Sequence, residues 1–101
     1  MRQIEKEMRN AVANAMNNGK DWKKGNTAVY SLFGAVFVSL HGNLIYQIDK
    51  VTKNGKFTLA GWNTPTTRSR LNALGVGVYQ KNFEAYKDGQ RLDVCEWYDV
   101  L

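Results

Sequence analysis

The fold class is decided by residues 27–60, TAVYSLFGAVFVSLHGNLIYQIDKVTKNGKFTLA. This stretch is rich in β-branched and aromatic residues and is interrupted at short intervals by glycine and asparagine, a pattern typical of strands joined by tight turns. Asn54-Gly55 is the strongest turn signal, because both residues accept the positive φ values of a two-residue hairpin. The stretch therefore predicts four antiparallel strands, over Thr27–Phe33, Ala35–His41, Leu44–Lys50 and Lys56–Ala60. In the third strand, Ile45 lies on the opposite face from Leu44 and Tyr46. Both faces carry apolar residues, so the alternation does not decide which face of this strand packs on the core.

Helical patterns flank these strands. Apolar residues recur at helical spacing over Met1–Asn17, and the following Asn18-Gly19 is a typical helix end. A short second helix is predicted to begin at Thr64–Thr67 and to end at Gly75. Pro65 suits its first helical position, which makes Thr64 the cap, with Thr67 as the alternative. The segment Lys20–Asn26 is predicted to be a polar loop.

A final hairpin over Val76–Lys87 and Gln90–Trp97, turning at Asp88-Gly89, completes the pattern. The order is an N-terminal helix, a four-stranded antiparallel meander, a short helix and a C-terminal β-hairpin. This predicts an α+β fold with its helices on one face of the sheet. At 101 residues the chain is one domain, with the helix over residues 1–19 and an α+β core over 26–101.

The composition is basic. Fourteen Lys and Arg against nine Asp and Glu give a net charge of +5, which favours anionic partners such as nucleic acid or an acidic protein face. Cys95 and His41 are each the only residue of their type, so an intramolecular disulfide and a Cys/His zinc cluster are excluded, and no metal or cofactor is predicted. Cys95 is expected to be a buried apolar residue. The apolar run Ala35–Leu40 is too short to span a membrane, so no membrane partner is predicted.

The start of the second helix is the first candidate anion-binding site. Helix N-termini offer free backbone N–H groups and a partial positive charge, and hydroxyl and guanidinium groups there can bind a phosphate or carboxylate. Two arginines at a positive helix end need a nearby anion, which is either an internal carboxylate or a partner. The candidate residues are Thr66, Thr67, Arg68, Ser69 and Arg70.

A second basic group surrounds Trp22. Lys20, Lys23 and Lys24 could follow a nucleic-acid backbone while the indole stacks on a base; the alternative is that Trp22 folds over the sheet edge. Trp22, Trp62, Tyr79 and Tyr98 are the candidate contacts for a partner protein.

The apolar stripe of the first helix has two interpretations. It packs on the chain's own sheet, or it joins two copies in a homodimer. Its members are Ile4, Met8, Val12 and Met16.

No catalytic arrangement is readable in the sequence. His41 lies at the turn Leu40-His41-Gly42-Asn43 with no nucleophile close in sequence, and it is interpreted as a turn residue hydrogen-bonded to the backbone rather than as a general base. No phosphate loop or paired-carboxylate motif is present. The protein is therefore predicted to be non-enzymatic.

Several short motifs together resemble a family of small accessory proteins encoded by tailed bacteriophages. They are Gly25-Asn26-Thr27, Leu40-His41-Gly42-Asn43 with Ile45, Gly61-Trp62 followed by Thr64, Thr66-Thr67 and residues 69–73, and residues 78–83. The resemblance covers Asp21 to the C-terminus and leaves the N-terminal helix outside. It implies a protein that acts in the cytoplasm of an infected bacterium and modulates host or phage machinery. Combined with the charge, it suggests binding to nucleic acid or a nucleoprotein complex; the alternative is an inhibitor or adaptor that docks on a host protein or defence complex.

Overall fold

A computed structural model describes residues 2–101; the predicted helix start at Met1 lies outside this range. The chain forms two helices and nine strands within the described residues, arranged in two antiparallel sheets. The larger sheet has the order β1-β2-β3-β4-β5-β9 and the smaller the order β6-β7-β8. The elements are α1 (Gln3–Asn18), β1 (Trp22–Lys24), β2 (Thr27–Leu32), β3 (Ala35–Leu40), β4 (Asn43–Asp49), β5 (Gly55–Phe57), α2 (Pro65–Ala73), β6 (Tyr79–Lys81), β7 (Glu84–Lys87), β8 (Gln90–Arg91) and β9 (Tyr98–Asp99).

The predicted α+β class is confirmed, with both helices on one face of the larger sheet. Helix α1 packs against β1, β2 and β3, while α2 packs against β4 and against α1 itself. The contact between the helices places them on the same side. Met8 and Ala15 of α1 are fully buried in one cluster with Val29 and Val38 of the sheet. Full burial of Met8, Val29 or Val38 stabilises the fold by about 1.5–3 kcal/mol each.

One row of side chains crosses all six strands and fixes their register. Residues directly opposite one another in adjacent strands lie on the same face of a sheet, and a slip of one residue would turn this row to solvent. At the end of the row, the rings of Phe57 and Tyr98 lie 5.8 Å apart. The row is Trp22, Val29, Val38, Tyr46, Phe57 and Tyr98.

A bulge explains why Ile45 breaks the alternation of its strand. Val38 pairs with Tyr46, yet the next residue, Ser39, pairs with Leu44. Ile45 is thus an extra residue on β4, and both Ile45 and Tyr46 become buried. A bulge re-aims side chains in this way without ending the ladder.

Two predictions about the sheet were wrong. The predicted polar loop Lys20–Asn26 contains strand β1, because Trp22–Lys24 pairs with β2. The β4–β5 turn does not centre on Asn54-Gly55. It spans residues 50–54, where the Asp49 carboxylate accepts hydrogen bonds from the backbone N–H groups of Val51 and Thr52, and Gly55 belongs to β5.

The C-terminal hairpin is confirmed around Asp88-Gly89, but its predicted strands are too long. The strand predicted over Val76–Lys87 is broken by a turn in which Asn82 and Phe83 have φ values of 51° and 65°. The strand predicted over Gln90–Trp97 ends at Arg91. Cys95, predicted to be buried in it, is exposed in a turn before β9.

Gly55→Ala should destabilise the protein. A Cβ at Gly55 would lie 3.1 Å from Cγ2 of Val100 and 3.3 Å from the Tyr46 hydroxyl oxygen, so the alanine overpacks the sheet and should cost about 1–3 kcal/mol. Asn54→Ala is the control and should change the free energy of unfolding by less than about 0.5 kcal/mol. Urea denaturation measures both. A large loss in the free energy of unfolding for Asn54→Ala, with no loss for Gly55→Ala, would contradict this turn geometry.

Candidate functional site

The start of α2 is held by its own threonines. Thr64 is the cap, as predicted first, and its Oγ1 accepts a hydrogen bond from the backbone N–H of Thr67 at 3.1 Å. The two hydroxyl oxygens lie 3.0 Å apart, and Thr67 is buried. The predicted anion ligand Thr67 therefore has a partner inside the protein, whereas Thr66 remains partly exposed.

Arg70 and Ser69 do not reach outward, contrary to their assignment as ligands of a partner anion. Arg70 Nη1 lies 2.8 Å from Glu5 Oε2, and both side chains are 4% exposed. The Ser69 hydroxyl donates to the same carboxylate oxygen at 2.5 Å. The anion these residues require is thus internal. In a helix of nine residues Arg70 falls in the last turn, where positive charge is favoured rather than disfavoured.

A chain of hydrogen bonds extends from this ion pair to His41. Arg70 Nε donates to Thr27 Oγ1 at 3.1 Å, and that hydroxyl donates to Asn26 Oδ1 at 2.9 Å. Nδ2 of Asn26 lies 3.3 Å from Nε2 of His41. The His41 backbone N–H donates to the Asn26 carbonyl at 2.8 Å. His41 is therefore hydrogen-bonded at a turn as predicted, with its ring positioned by Asn26.

The Glu5 carboxylate is kept ionised by its partners. Burial alone raises its pKa, but hydrogen bonds from Ser69, Arg70 and the Arg2 backbone, together with the charge of Arg70, lower the pKa below its usual value. An ionised Glu5 stabilises the buried guanidinium, so the two groups hold α1 against α2.

Arg68 is more accessible than Arg70 but is also oriented within the protein. Its Nη1 donates to Asn63 Oδ1, and Asn63 Nδ2 lies 3.5 Å from the Phe83 carbonyl oxygen. The side chain is partly buried. Arg68 therefore remains a candidate partner contact.

A pocket of about 470 Å³ lies between the β3–β4 turn and the start of α2. Its floor is apolar and its remaining walls carry hydroxyl, amide, imidazole and indole groups. Trp62, at its rim, is 61% exposed. The pocket gathers several motif residues that lie far apart in sequence. The lining residues are Leu40, His41, Asn43, Ile45, Leu59, Ala60, Trp62, Thr64, Thr66 and Thr67.

The face of the larger sheet opposite the helices carries aromatic residues that sequence reasoning missed. Tyr30 and Phe37 are direct cross-strand partners; Tyr30 is 40% exposed and Phe37 is partly exposed. Leu32 and Leu44 on the same face are also exposed. The signal in the sequence was the strand alternation itself, which places Tyr30 on the side away from Val29. We call this surface the open face.

The predicted lysines lie on or beside edge strand β1. Lys23 is on the open face, opposite Ala28. Lys24 pairs with Glu7 at 2.7 Å, and exposed Lys20 precedes the strand. The other edge strand, β9, carries Asp99 and follows Asp93 and Glu96. One edge of the sheet thus carries lysines, while at the other edge Asp99 pairs with Lys56 at 3.2 Å.

The predicted aromatic contacts divide into packed and exposed rings. Trp22 packs against the core at the sheet edge, and Tyr98 packs on Phe57, with its hydroxyl oxygen accepting from the Asp93 backbone N–H at 2.7 Å. Tyr79 stacks on Tyr86 with ring centroids 5.8 Å apart and stays exposed on its other side. Trp62 is the most exposed of the four.

The stripe of α1 is used within the chain. Met8 is buried, and Val12 and Met16 pack against the core cluster. The face considered for a homodimer is therefore largely covered by the protein's own sheet.

These features define a small α+β protein whose sheet has a helix-covered face and an open face. Among residues 2–101, no helix combines the length and apolar character needed to cross a membrane. The chain belongs to the Kyanoviridae Gp96 protein family of tailed bacteriophages, whose family model matches residues 1–100. This match includes α1, so placing the N-terminal helix outside the family was wrong. Comparisons with curated proteins and with solved structures gave no match.

Glu5→Gln should destabilise the protein strongly at neutral pH. The substitution leaves the buried guanidinium of Arg70 without its counter-charge, a loss of about 3–5 kcal/mol in the free energy of unfolding. In the wild type, this stabilisation is present above the unfolded-state pKa of about 4.3 and is lost as the pH falls through the lower folded-state pKa. The gap between wild type and variant, measured by urea denaturation, should therefore narrow on acidification.

Two further variants separate the buried pair from general charge effects. Glu7→Gln removes the exposed pair with Lys24 and should cost only about 0.2–1 kcal/mol. The double substitution Glu5→Met with Arg70→Met should cost less than Glu5→Gln alone, because no buried charge is left unpaired. Equal losses for Glu5→Gln and Glu7→Gln would contradict the importance of the buried pair.

Proposed function

We propose that this phage accessory protein acts in the host cytoplasm as a non-enzymatic binder of single-stranded nucleic acid. The observation that carries the proposal is the Tyr30–Phe37 pair on a sheet face that neither helix covers, one strand away from the lysine-bearing edge. Flat aromatic rings beside positive charge are the elements with which sheet proteins bind unpaired strands.

Stacking favours an unpaired strand over a duplex. The bases of a duplex are already stacked on one another, whereas those of a single strand can spread onto side chains. Each base stacked on an aromatic ring contributes about 1–3 kcal/mol, with little dependence on sequence. Tyr30 and Phe37, side by side on neighbouring strands, offer two such rings.

The charge distribution favours the β1 side of the sheet. Lys20 and Lys23 make no ion pair with any of residues 2–101, so both remain available for phosphate. At the β9 edge Asp99 is already paired with Lys56, and Asp93 and Glu96 beside it would repel the phosphate backbone. A bound strand is therefore expected to lie over β1, β2 and β3.

Binding should weaken with salt through the β1 lysines. On single strands each neutralised phosphate contributes about 0.7 to the slope of log affinity against log salt. The double substitution Lys20→Ala with Lys23→Ala should flatten this slope by about 1.4, measured by fluorescence anisotropy with a labelled oligodeoxythymidylate. Lys53→Ala with Lys81→Ala removes the same charge elsewhere and should leave the slope nearly unchanged. No binding at low ionic strength would reject the proposed function.

A second candidate, docking on a host protein, is favoured by Phe83. Its side chain is 91% exposed although its backbone has a φ of 65°, a conformation that is strained for a bulky residue. Asn63 holds this turn close to Trp62. In this second candidate function, Phe83 and Trp62 are the side chains that anchor the host protein.

Pull-down from host lysate with and without nuclease distinguishes the two candidates. A partner that survives nuclease and is lost in Phe83→Ala supports protein docking. A partner lost on nuclease treatment but kept in Phe83→Ala supports nucleic-acid binding.

A further inference from the structure

The pocket beside Trp62 has the composition of a site for a planar, uncharged ligand. Its volume of about 470 Å³ lies within the range of about 300–1,000 Å³ typical of small-molecule sites. Leu40, Ile45 and Leu59 supply an apolar floor. None of its lining residues is an aspartate, glutamate, lysine or arginine, so a phosphate or other charged group would find no counter-charge among them.

Polar groups at the pocket wall are available to a ligand. The Asn43 amide and the Thr66 hydroxyl have no hydrogen-bond partner among residues 2–101, whereas the hydroxyls of Thr64 and Thr67 lie 3.0 Å from each other. An amide both donates and accepts hydrogen bonds, and so does a hydroxyl. A ligand that fits must therefore carry donors and acceptors on its edge.

The indole of Trp62 provides the flat surface of the pocket. A tryptophan that is 61% exposed contributes little to the core, and its position at a pocket rim is one where a second ring can stack on it. A planar ring with an apolar face and a hydrogen-bonding edge matches the apolar floor, the indole and the free polar groups together. Among the parts of a nucleic-acid strand, only the base has this combination.

We propose that this pocket receives one unpaired nucleobase, stacked on Trp62 with its edge towards Asn43 and Thr66. This inference rests on the proposed binding of single strands and assigns a second, base-specific site to it. The pocket lies on the helix-covered side of the sheet, so a strand bound at both sites passes around the β3–β4 turn, where Asn43 lines the pocket and the next residue, Leu44, lies on the open face.

The test compares an oligodeoxythymidylate with an abasic strand of equal length, which keeps the sugar-phosphate backbone. Wild-type protein should prefer the intact strand. Trp62→Ala should weaken binding of the intact strand about 5- to 150-fold, the loss expected for one stacked base, and should leave binding of the abasic strand and the salt slope unchanged. Thr66→Val, which keeps the shape but removes the hydroxyl, should weaken the intact strand about 2- to 10-fold.

Trp97→Ala is the matched control, because Trp97 is also exposed but does not line the pocket; it should bind like the wild type. Thermal denaturation followed by circular dichroism checks that each variant is folded. Unchanged binding by Trp62→Ala, with lysine-dependent binding intact, overturns the base pocket and leaves the proposed function standing. Absence of binding to either strand rejects both. Loss of a nuclease-resistant host protein in Trp62→Ala, with oligonucleotide binding unaffected, assigns the pocket to a protein side chain instead.

Discussion

The buried ion pair between Glu5 and Arg70 is the interaction on which the arrangement of the helices depends. It joins residues 65 positions apart in the chain, one near the start of α1 and one in the last turn of α2. Burying two charges is costly, and a buried pair is tolerated only when further hydrogen bonds satisfy both groups. Ser69 and Thr27 supply these bonds here, and within residues 2–101 no buried side-chain polar atom lacks a partner.

This network also determines what remains on the surface. Arg70 turns inward from the last turn of α2, and at the other end of the helix Thr64, Thr66 and Thr67 form a wall of the pocket beside the β3–β4 turn. Through Thr27 and Asn26 the same network reaches His41, which lines the facing wall. The shape of the pocket is therefore set by residues that also stabilise the fold. The side chains of Trp62, Asn43 and Thr66 line the pocket without a hydrogen-bond partner among residues 2–101.

Local signals in the sequence were sufficient for the fold class but not for the site. Strand alternation, the Thr64-Pro65 start and the Gly75 end of α2 are encoded by neighbouring residues, so β2, β3, β4 and α2 could be predicted. Strands β1 and β9 are too short to show a pattern and exist because the edge of a neighbouring strand, β2 for β1 and β5 for β9, offers hydrogen-bonding groups. The inward turn of Arg70 required knowledge that Glu5 lies beside it, which no local pattern contains. Tyr30 and Phe37 could be predicted as strand residues. The sequence did not show which face of the sheet the helices would cover, so the exposure of these two rings could not be predicted.

Lysines on an edge strand have a structural explanation, since they discourage pairing of sheets from two molecules. That explanation covers Lys23 and Lys24. It does not cover Tyr30 on β2 and Phe37 on β3, because these rings lie inside the sheet, where there is no free edge to protect, and on the face where neither helix packs. The distance from this pair to the pocket is also short. Phe37 and Leu40 are three residues apart on β3, about 10 Å along the strand, but their side chains point to opposite faces of the sheet, so a nucleic-acid strand reaches both only by passing around the β3–β4 turn. The basic edge lies beside the open face, because Lys23 and Tyr30 are on the same side of the sheet, so the aromatic pair and the lysines can act on one strand without the pocket.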